Sequence, residues 1–226
     1  TPAKEHFAGK GRTVQYREGL YVGYRYYQTA GVAPAFPFGF GLSYTSFAYS
    51  DLKATSDSVT LTVTNTGSCD GAEIVQIYVA KPDAKVFRPV QELKGFEKVK
   101  LAAGESKCVA IPLDDKAFRY WNTMTNAWEI EGGRYEIRVG ASCEDIRLTA
   151  TVEVAGTGAP NPYAGISLPH YESGKVMNVP DAEWEVLLDR PIPDATVKID
   201  RNMTLGELKH SRSPLCWLVW LVLHTL

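Results

Sequence analysis

Apolar and polar positions alternate through the middle of this chain with the period of two that a half-buried β-strand requires. Val59, Leu61 and Val63 alternate with Thr60, Thr62 and Thr64. Val109, Ile111 and Leu113 repeat the pattern after a turn at Ala103-Gly104, and so do Tyr135, Ile137 and Val139. Ile146, Leu148, Ala150, Val152 and Val154 form the longest alternating run. Glu73 to Val79 is almost continuously apolar, which predicts a strand in the interior of a sheet. Leu93, Phe96 and Val99 give a further strand with a break at Gly95. Turn residues separate these runs: Asn65-Thr66-Gly67, Lys81-Pro82-Asp83, Asp114-Asp115, Asn122, Asn126 and Gly132-Gly133. About seven short strands at this spacing predict an immunoglobulin-like β-sandwich.

The flanks read differently. Phe36-Pro37-Phe38-Gly39-Phe40-Gly41-Leu42-Ser43-Tyr44 places aromatics between Pro and Gly, so neither a helix nor an ordinary strand suits it. A stiff connector is expected there, with Phe36, Phe38 and Phe40 exposed unless the tail folds back over them. Upstream, Glu18 to Gln28 predicts a short helix, in which Arg25 and Glu18 form structural pairs across a domain boundary. Gly156 to Pro162 has the composition of a linker. Asp181 to Leu188 predicts an amphipathic helix begun after Pro180 and stopped by Arg190-Pro191-Ile192-Pro193. Thr204-Leu205-Gly206-Glu207 has the form of a capping box and predicts one more helix.

Leu215 to Leu223 is apolar throughout. It falls short of the roughly 20 residues a membrane span needs, and it lacks the polar face of an interfacial helix. A helix buried against another domain or subunit is expected, with self-association through this run as a consequence and membrane association as the lesser alternative.

Composition narrows the class. The chain has 226 residues, 45% of them hydrophobic and 22% charged, and a formal net charge of −2. Both signs are interspersed, so no basic footprint points to nucleic acid and no polybasic run to anionic lipid. The first residues, Thr1 to His6, do not have the layout of a signal peptide. Cys69, Cys108, Cys143 and Cys216 show no metal-binding spacing, and their placement in turns and a strand favours a reduced, cytoplasmic setting.

Several blocks together resemble one enzyme family. Glu18-Gly19, then Val22-Gly23-Tyr24-Arg25-Tyr26-Tyr27, then Phe36 to Thr45 are similar to the hinge of glycoside hydrolase family 3 enzymes, which include β-glucosidases and β-xylosidases. The likeness continues, in family order over residues 14–154, through Val59–Gly67, Gly71–Val79, Arg88–Phe96, Gly104–Ser106 and Gly132–Gly140. Phe40 departs from it, standing where many members carry His. The Leu-Leu-x-Arg-Pro-Ile-Pro block at 187–193 also resembles some Gram-positive members. The resemblance implies a fibronectin type III-like module entered from an α/β sandwich catalytic domain. It divides the chain into a hinge segment at 1–40, the fibronectin type III-like β-sandwich at 41–156, and a linker with a partly helical C-terminal extension at 157–226.

Retaining glycosidases work with two carboxyl groups about 5–5.5 Å apart. The resemblance places the nucleophilic Asp in an N-terminal barrel and the acid/base before the hinge, and neither motif occurs in this chain. No catalytic, cofactor-binding or metal residue is therefore assigned, and the chain alone is expected to be inactive. Asp114-Asp115, Glu144-Asp145, Glu129 and Glu131 read as solvated turn or strand-edge charges, and His6, His170, His210 and His224 have no partner spacing. Tyr120, Trp121 and Trp128 are weighed as a sugar-stacking surface but read as core or hinge anchors. Lys81, Lys85 and Arg88 lie in a Pro-bounded loop that reads as solvated.

Two functions fit: the non-catalytic C-terminal portion of a β-glycosidase, or a free-standing fibronectin-like module binding carbohydrate or protein. The hinge favours the first, because a free module has no use for it. Its partners would be the catalytic domains, with a β-linked glycoside reached only through them.

Overall fold

In a computed structural model, residues 13–193, 201 and 204–225 are described. They fall into two compact units, one of residues 20–174 and one drawn from residues 1–19 and 175–226. His6 lies outside the described residues.

The larger unit is a β-sandwich. Strands β1 (Phe47–Ala54), β2 (Ser58–Asn65) and β5 (Ser106–Pro112) form one antiparallel sheet in the order β1-β2-β5. Strands β3 (Gly71–Ala80), β4 (Glu92–Leu101), β8 (Gly133–Gly140) and β9 (Ile146–Val154) form the other, in the order β4-β3-β8-β9. The alternating residues meet between them: Val59, Leu61, Val63, Val109 and Ile111 from the first sheet, and Val75, Ile77, Val79, Ile137 and Val139 from the second, are all buried. Burial of this apolar surface is the main favourable term for the fold.

β3 is interior, as its apolar run predicts, and residues 75–80 are buried on both faces. The inward face is the core. The outward face, with Gln76 and Tyr78, lies beneath the hinge. β4 is continuous through Gly95, and the irregularity instead takes the form of a register shift between Ile77 and Tyr78. Gly95 is required because an added Cβ would stand 2.8 Å from Ile111 Cγ2 on the facing sheet.

Two features exceed the sequence reading. β1 is a full strand whose alternation is broken by Asp51 at φ 56, with a register shift between Ser50 and Lys53. Phe47 and Tyr49 before the break and Leu52 and Ala54 after it all pack on the core. A separate hairpin, β6 (Arg119–Asn122) with β7 (Ala127–Ile130), pairs Trp121 directly with Trp128. Asn122 is fully buried at its turn, accepting from the amides of Met124 and Thr125.

The hinge helix is shorter than expected: α1 spans Tyr24–Thr29, and residues 17–20 form a turn. Gly19 and Gly23 have φ of 52 and 56, conformations that stop a helix from running back to Glu18. After β9 the chain is irregular but not loose. Thr157 N donates to Ile130 O at 3.0 Å, and Asn122 Nδ2 donates to Pro160 O at 2.8 Å. The short helix α2 (Pro169–Ser173) closes this unit, with Tyr171 buried.

In the smaller unit, Arg17 is buried and donates to Val179 O at 2.7 Å and to Asp181 Oδ1 at 2.6 Å. Helix α3 (Asp181–Leu188) follows Pro180 as predicted and ends with Asp189 at a positive φ. The capping box at Thr204 and Glu207 forms, Thr204 N donating to Glu207 Oε2 at 2.7 Å, but it opens a 3₁₀ helix (Leu205–His210).

The apolar run is helix α4 (Pro214–Thr225). It buries none of its residues within this chain, so its apolar side chains remain available to another domain or subunit. Its apolar side chains point in all directions, so no single packed surface covers them. No helix among the described residues is long and apolar enough to cross a membrane.

Candidate functional site

The face with functional character is the one where the hinge lies on the sandwich. Pro37 fixes its own φ, and Gly39 adopts φ 84, so the chain turns sharply over β3. A Cβ at Gly39 would overlap the Gln76 carboxamide. Gln76 Nε2 donates to Ala141 O at 2.5 Å and approaches Gly39 O at 3.4 Å, and Gln76 Oε1 accepts from Tyr78 OH at 2.6 Å. Cys143 N donates to Phe38 O at 2.9 Å.

α1 adds a second set of ties. The Leu93 amide donates to Tyr24 OH at 2.8 Å, while the Tyr24 ring stacks on Phe38 at 4.8 Å and meets Tyr78 edge-on at 6.0 Å. Burial pushes the phenols of Tyr24 and Tyr78 up, so both stay neutral. Gln28 and Gln91 both donate to Cys143 O, at 2.7 and 2.8 Å, and Arg138 holds Gln91 at 3.2 Å. Cys143 is buried, and desolvation raises its thiol pKa, so it is a packing residue with an unreactive sulfur.

Arg25 pairs with Glu92 of β4 at 3.4 Å and so ties the hinge to the sandwich. Glu18 belongs to the smaller unit, where its Oε2 is buried without a hydrogen-bond partner.

The outer surface of this tightly held hinge is apolar. Phe36 is 72% exposed, Leu42 92% and Tyr44 100%, while Phe38 and Phe40 are about half exposed. Beside it, a groove of about 770 Å³ opens between the hinge, the start of β3 and the β8–β9 tip. Phe40, Leu42, Glu73, Ile74, Glu144 and Arg147 contribute to its walls.

Arg147 staples the two sheets at this edge. It donates to Phe47 O of β1 at 3.0 Å, pairs with Asp145 at 2.9 Å and lies 4.6 Å from the Tyr49 ring centre. Glu73 sits beneath this cluster. Its pKa is raised from 4.5, chiefly by burial, with Arg147 and Tyr49 opposing the shift. A raised carboxyl pKa makes folding favour the protonated form, so the contribution of Glu73 is fully present below its unfolded value and lost as pH rises through the folded one. Glu73→Gln is therefore expected to raise the urea midpoint at about pH 7 and leave it unchanged at about pH 4. A lower midpoint at neutral pH would show that attraction to Arg147 outweighs burial.

Around the loop at 81–90, the solvated reading is overturned. Glu131 accepts from Arg88 at 2.8 Å and from the Lys85 amide at 2.6 Å. Lys81 is buried, donating to Gly132 O at 3.0 Å with its ammonium 4.5 Å from the Tyr135 ring centre. Of the three basic residues Lys81, Lys85 and Arg88, only Lys85 is exposed. Phe87 packs against Tyr21, Tyr163 and Tyr171, and the Tyr21 hydroxyl donates to Tyr171 O.

Three of the other carboxylates hold local contacts. Asp114 caps a 3₁₀ turn through the Lys116 amide, Asp115 pairs with Arg119 at 2.8 Å, and Asp145 serves Arg147. Glu129 lies opposite Tyr120 in the hairpin, and Glu144 is exposed at the β8–β9 tip. His170 sits in α2, His210 ends the 3₁₀ helix, and His224 stacks on Trp220 at 4.9 Å. Among the described residues no three of His, Cys, Asp and Glu gather as a metal site requires.

Sequence reasoning missed the polar tethers Asn65, Gln28, Gln76 and Gln91. Asn65 is fully buried, donating to Cys69 O at 2.8 Å and accepting from Thr45 at 2.5 Å and from the Gly67 amide at 3.1 Å. Gln76 alone left a signal, as a carboxamide inside an otherwise apolar strand.

Residues 73–143 match the fibronectin type III-like domain. The chain is 48% identical over 166 residues to an exo-α-(1→6)-L-arabinopyranosidase of Bifidobacterium breve and 48% identical over 164 residues to thermostable β-glucosidase B of Acetivibrio thermocellus. These alignments cover 71% and 69% of the chain, which spans only 22% of the length of either relative. The crystal structure of a Bifidobacterium adolescentis GH3 β-glucosidase superposes on 96% of this chain and 27% of its own, with a TM-score of 0.67 and 36% identity. Hinge, sandwich and helical extension thus correspond to the C-terminal part of a glycoside hydrolase family 3 enzyme.

Proposed function

We propose that this chain supports the catalytic domains of a β-glucosidase-like β-glycosidase, with the sandwich as the prop and the hinge as the part that sets their position. The observation that carries this reading is the hinge itself. Its inner side is tied to β3, β4 and the β8–β9 tip by named hydrogen bonds, yet its outer side leaves Leu42 and Tyr44 almost fully in water. A segment held that firmly loses little further entropy when another domain covers it, so docking there is efficient.

The partners under this reading are the barrel and α/β domains that carry the catalytic Asp and Glu in family 3 enzymes, and a β-linked glycoside is reached through them. The test is reconstitution. The purified chain is assayed with an aryl β-glucoside alone and after mixing with separately produced barrel and α/β domains of a close relative. No turnover alone and turnover that rises on mixing are expected. Turnover by the chain alone, or no effect of the chain on the added domains, would overturn the proposal.

A further inference from the structure

The β6–β7 hairpin belongs to neither sheet, and its two faces differ in character. On the inner face, Tyr120 lies 5.7 Å from the Arg88 guanidinium and its hydroxyl accepts from Asn122 at 3.2 Å. Asn122 in turn is fully buried and reaches Pro160 O. That face does the packing.

The outer face carries Arg119, Trp121 and Trp128. The two indoles are direct cross-strand partners, 5.5 Å apart between centres at 78°, and they remain 46% and 55% exposed. The sandwich core is complete without them. An edge-to-face pair of this kind stabilises a hairpin, which one buried apolar pair would do as well, and it leaves aromatic surface in water.

Arg119 completes the arrangement. Its guanidinium lies 4.9 Å from the Trp128 ring centre and is fixed by Asp115 at 2.8 Å. An exposed indole next to an oriented guanidinium and an exposed carboxylate matches one ligand chemistry in particular. The C–H face of a pyranose stacks on an indole, and its equatorial hydroxyls donate to a carboxylate and accept from a guanidinium.

Charge argues against the other ligands that stack on Trp. Single-stranded nucleic acid needs a basic groove along its backbone, and here one arginine is already paired in a chain of net charge −2. We infer that Trp121, Trp128 and Arg119 form a stacking subsite for β-linked pyranose units, away from the hinge groove. The inference rests on the glycosidase reading for the choice of saccharide, but its test needs no catalysis, so the two fail separately.

The test is affinity electrophoresis of the full chain in native gels containing hydroxyethylcellulose or barley β-glucan, with a dextran gel as the control. Retardation in the β-glucan gels is expected, weakened about tenfold in Trp121→Ala and in Trp128→Ala. Trp128→Tyr, which keeps an aromatic face, should retain most of it, and Trp217→Ala on α4 all of it. Thermal melts of each variant identify any that lose the sandwich, and Trp128→Tyr then decides between stacking and folding. No retardation of the native chain, retardation in dextran alone, or retardation unchanged by both Trp→Ala variants would overturn the proposal.

Discussion

Glu131→Ala is expected to destabilise the sandwich by about 3–5 kcal/mol, because it leaves a mostly buried guanidinium without its partner. The side chains of Arg88 and Glu131 are only 14% and 13% exposed, so water cannot replace the lost contact. Arg88 Nε is already buried without a hydrogen-bond partner, which gives the guanidinium no reserve. The Lys85 amide loses its acceptor in the same substitution. In a unit of this size that loss lowers the melting temperature by about 6–20 °C. Arg88→Met combined with Glu131→Leu should recover most of it, since an apolar pair of similar volume removes both buried charges together. A single substitution costing under about 1 kcal/mol would place the pair among ordinary solvated surface bridges.

This pair also marks where sequence reading stops. Strands β2, β5, β8 and β9 are legible because period-two alternation is imposed by the pleat itself, whatever the partner strand, and β3 because a strand buried on both faces reads as a continuous apolar run. β1 escapes because Asp51 takes a left-handed conformation and shifts the apolar face by one residue halfway along. β6 and β7 are four residues each, too short for a period to show, and Asn122 reads as a turn because its side chain does build one. The state of Glu131 depends on a loop 43 residues away, and that of Gln76 on the hinge 37 residues before it. Local pattern has no access to such choices. The family blocks carried the identity of the hinge, yet its polar tethers emerge only once β3 and the β8–β9 tip are side by side.

At the hinge, Gly39→Val is expected to release the connector while the sandwich stays folded. A β-branched residue at φ 84 costs about 1–3 kcal/mol in backbone strain. Its Cβ would also displace the Gln76 carboxamide, whose bonds to Ala141 O and from Tyr78 OH stand at 2.5 and 2.6 Å. Leaving those buried groups unpaired costs about 1–3 kcal/mol more. The core residues Val75, Ile77 and Val79 occupy the opposite face of β3, so the cheapest relaxation is for residues 36–43 to lift away. Hydrogen exchange reads this directly. The amides of Phe40, bonded to Pro37 O, and Cys143, bonded to Phe38 O, should lose protection, while those of β2 keep theirs. Unchanged protection at Cys143 would mean that the hinge is held by α1 alone. In the reconstituted enzyme the same variant should lose turnover before it loses thermal stability, because positioning of the catalytic domains depends on the hinge and folding of the sandwich does not.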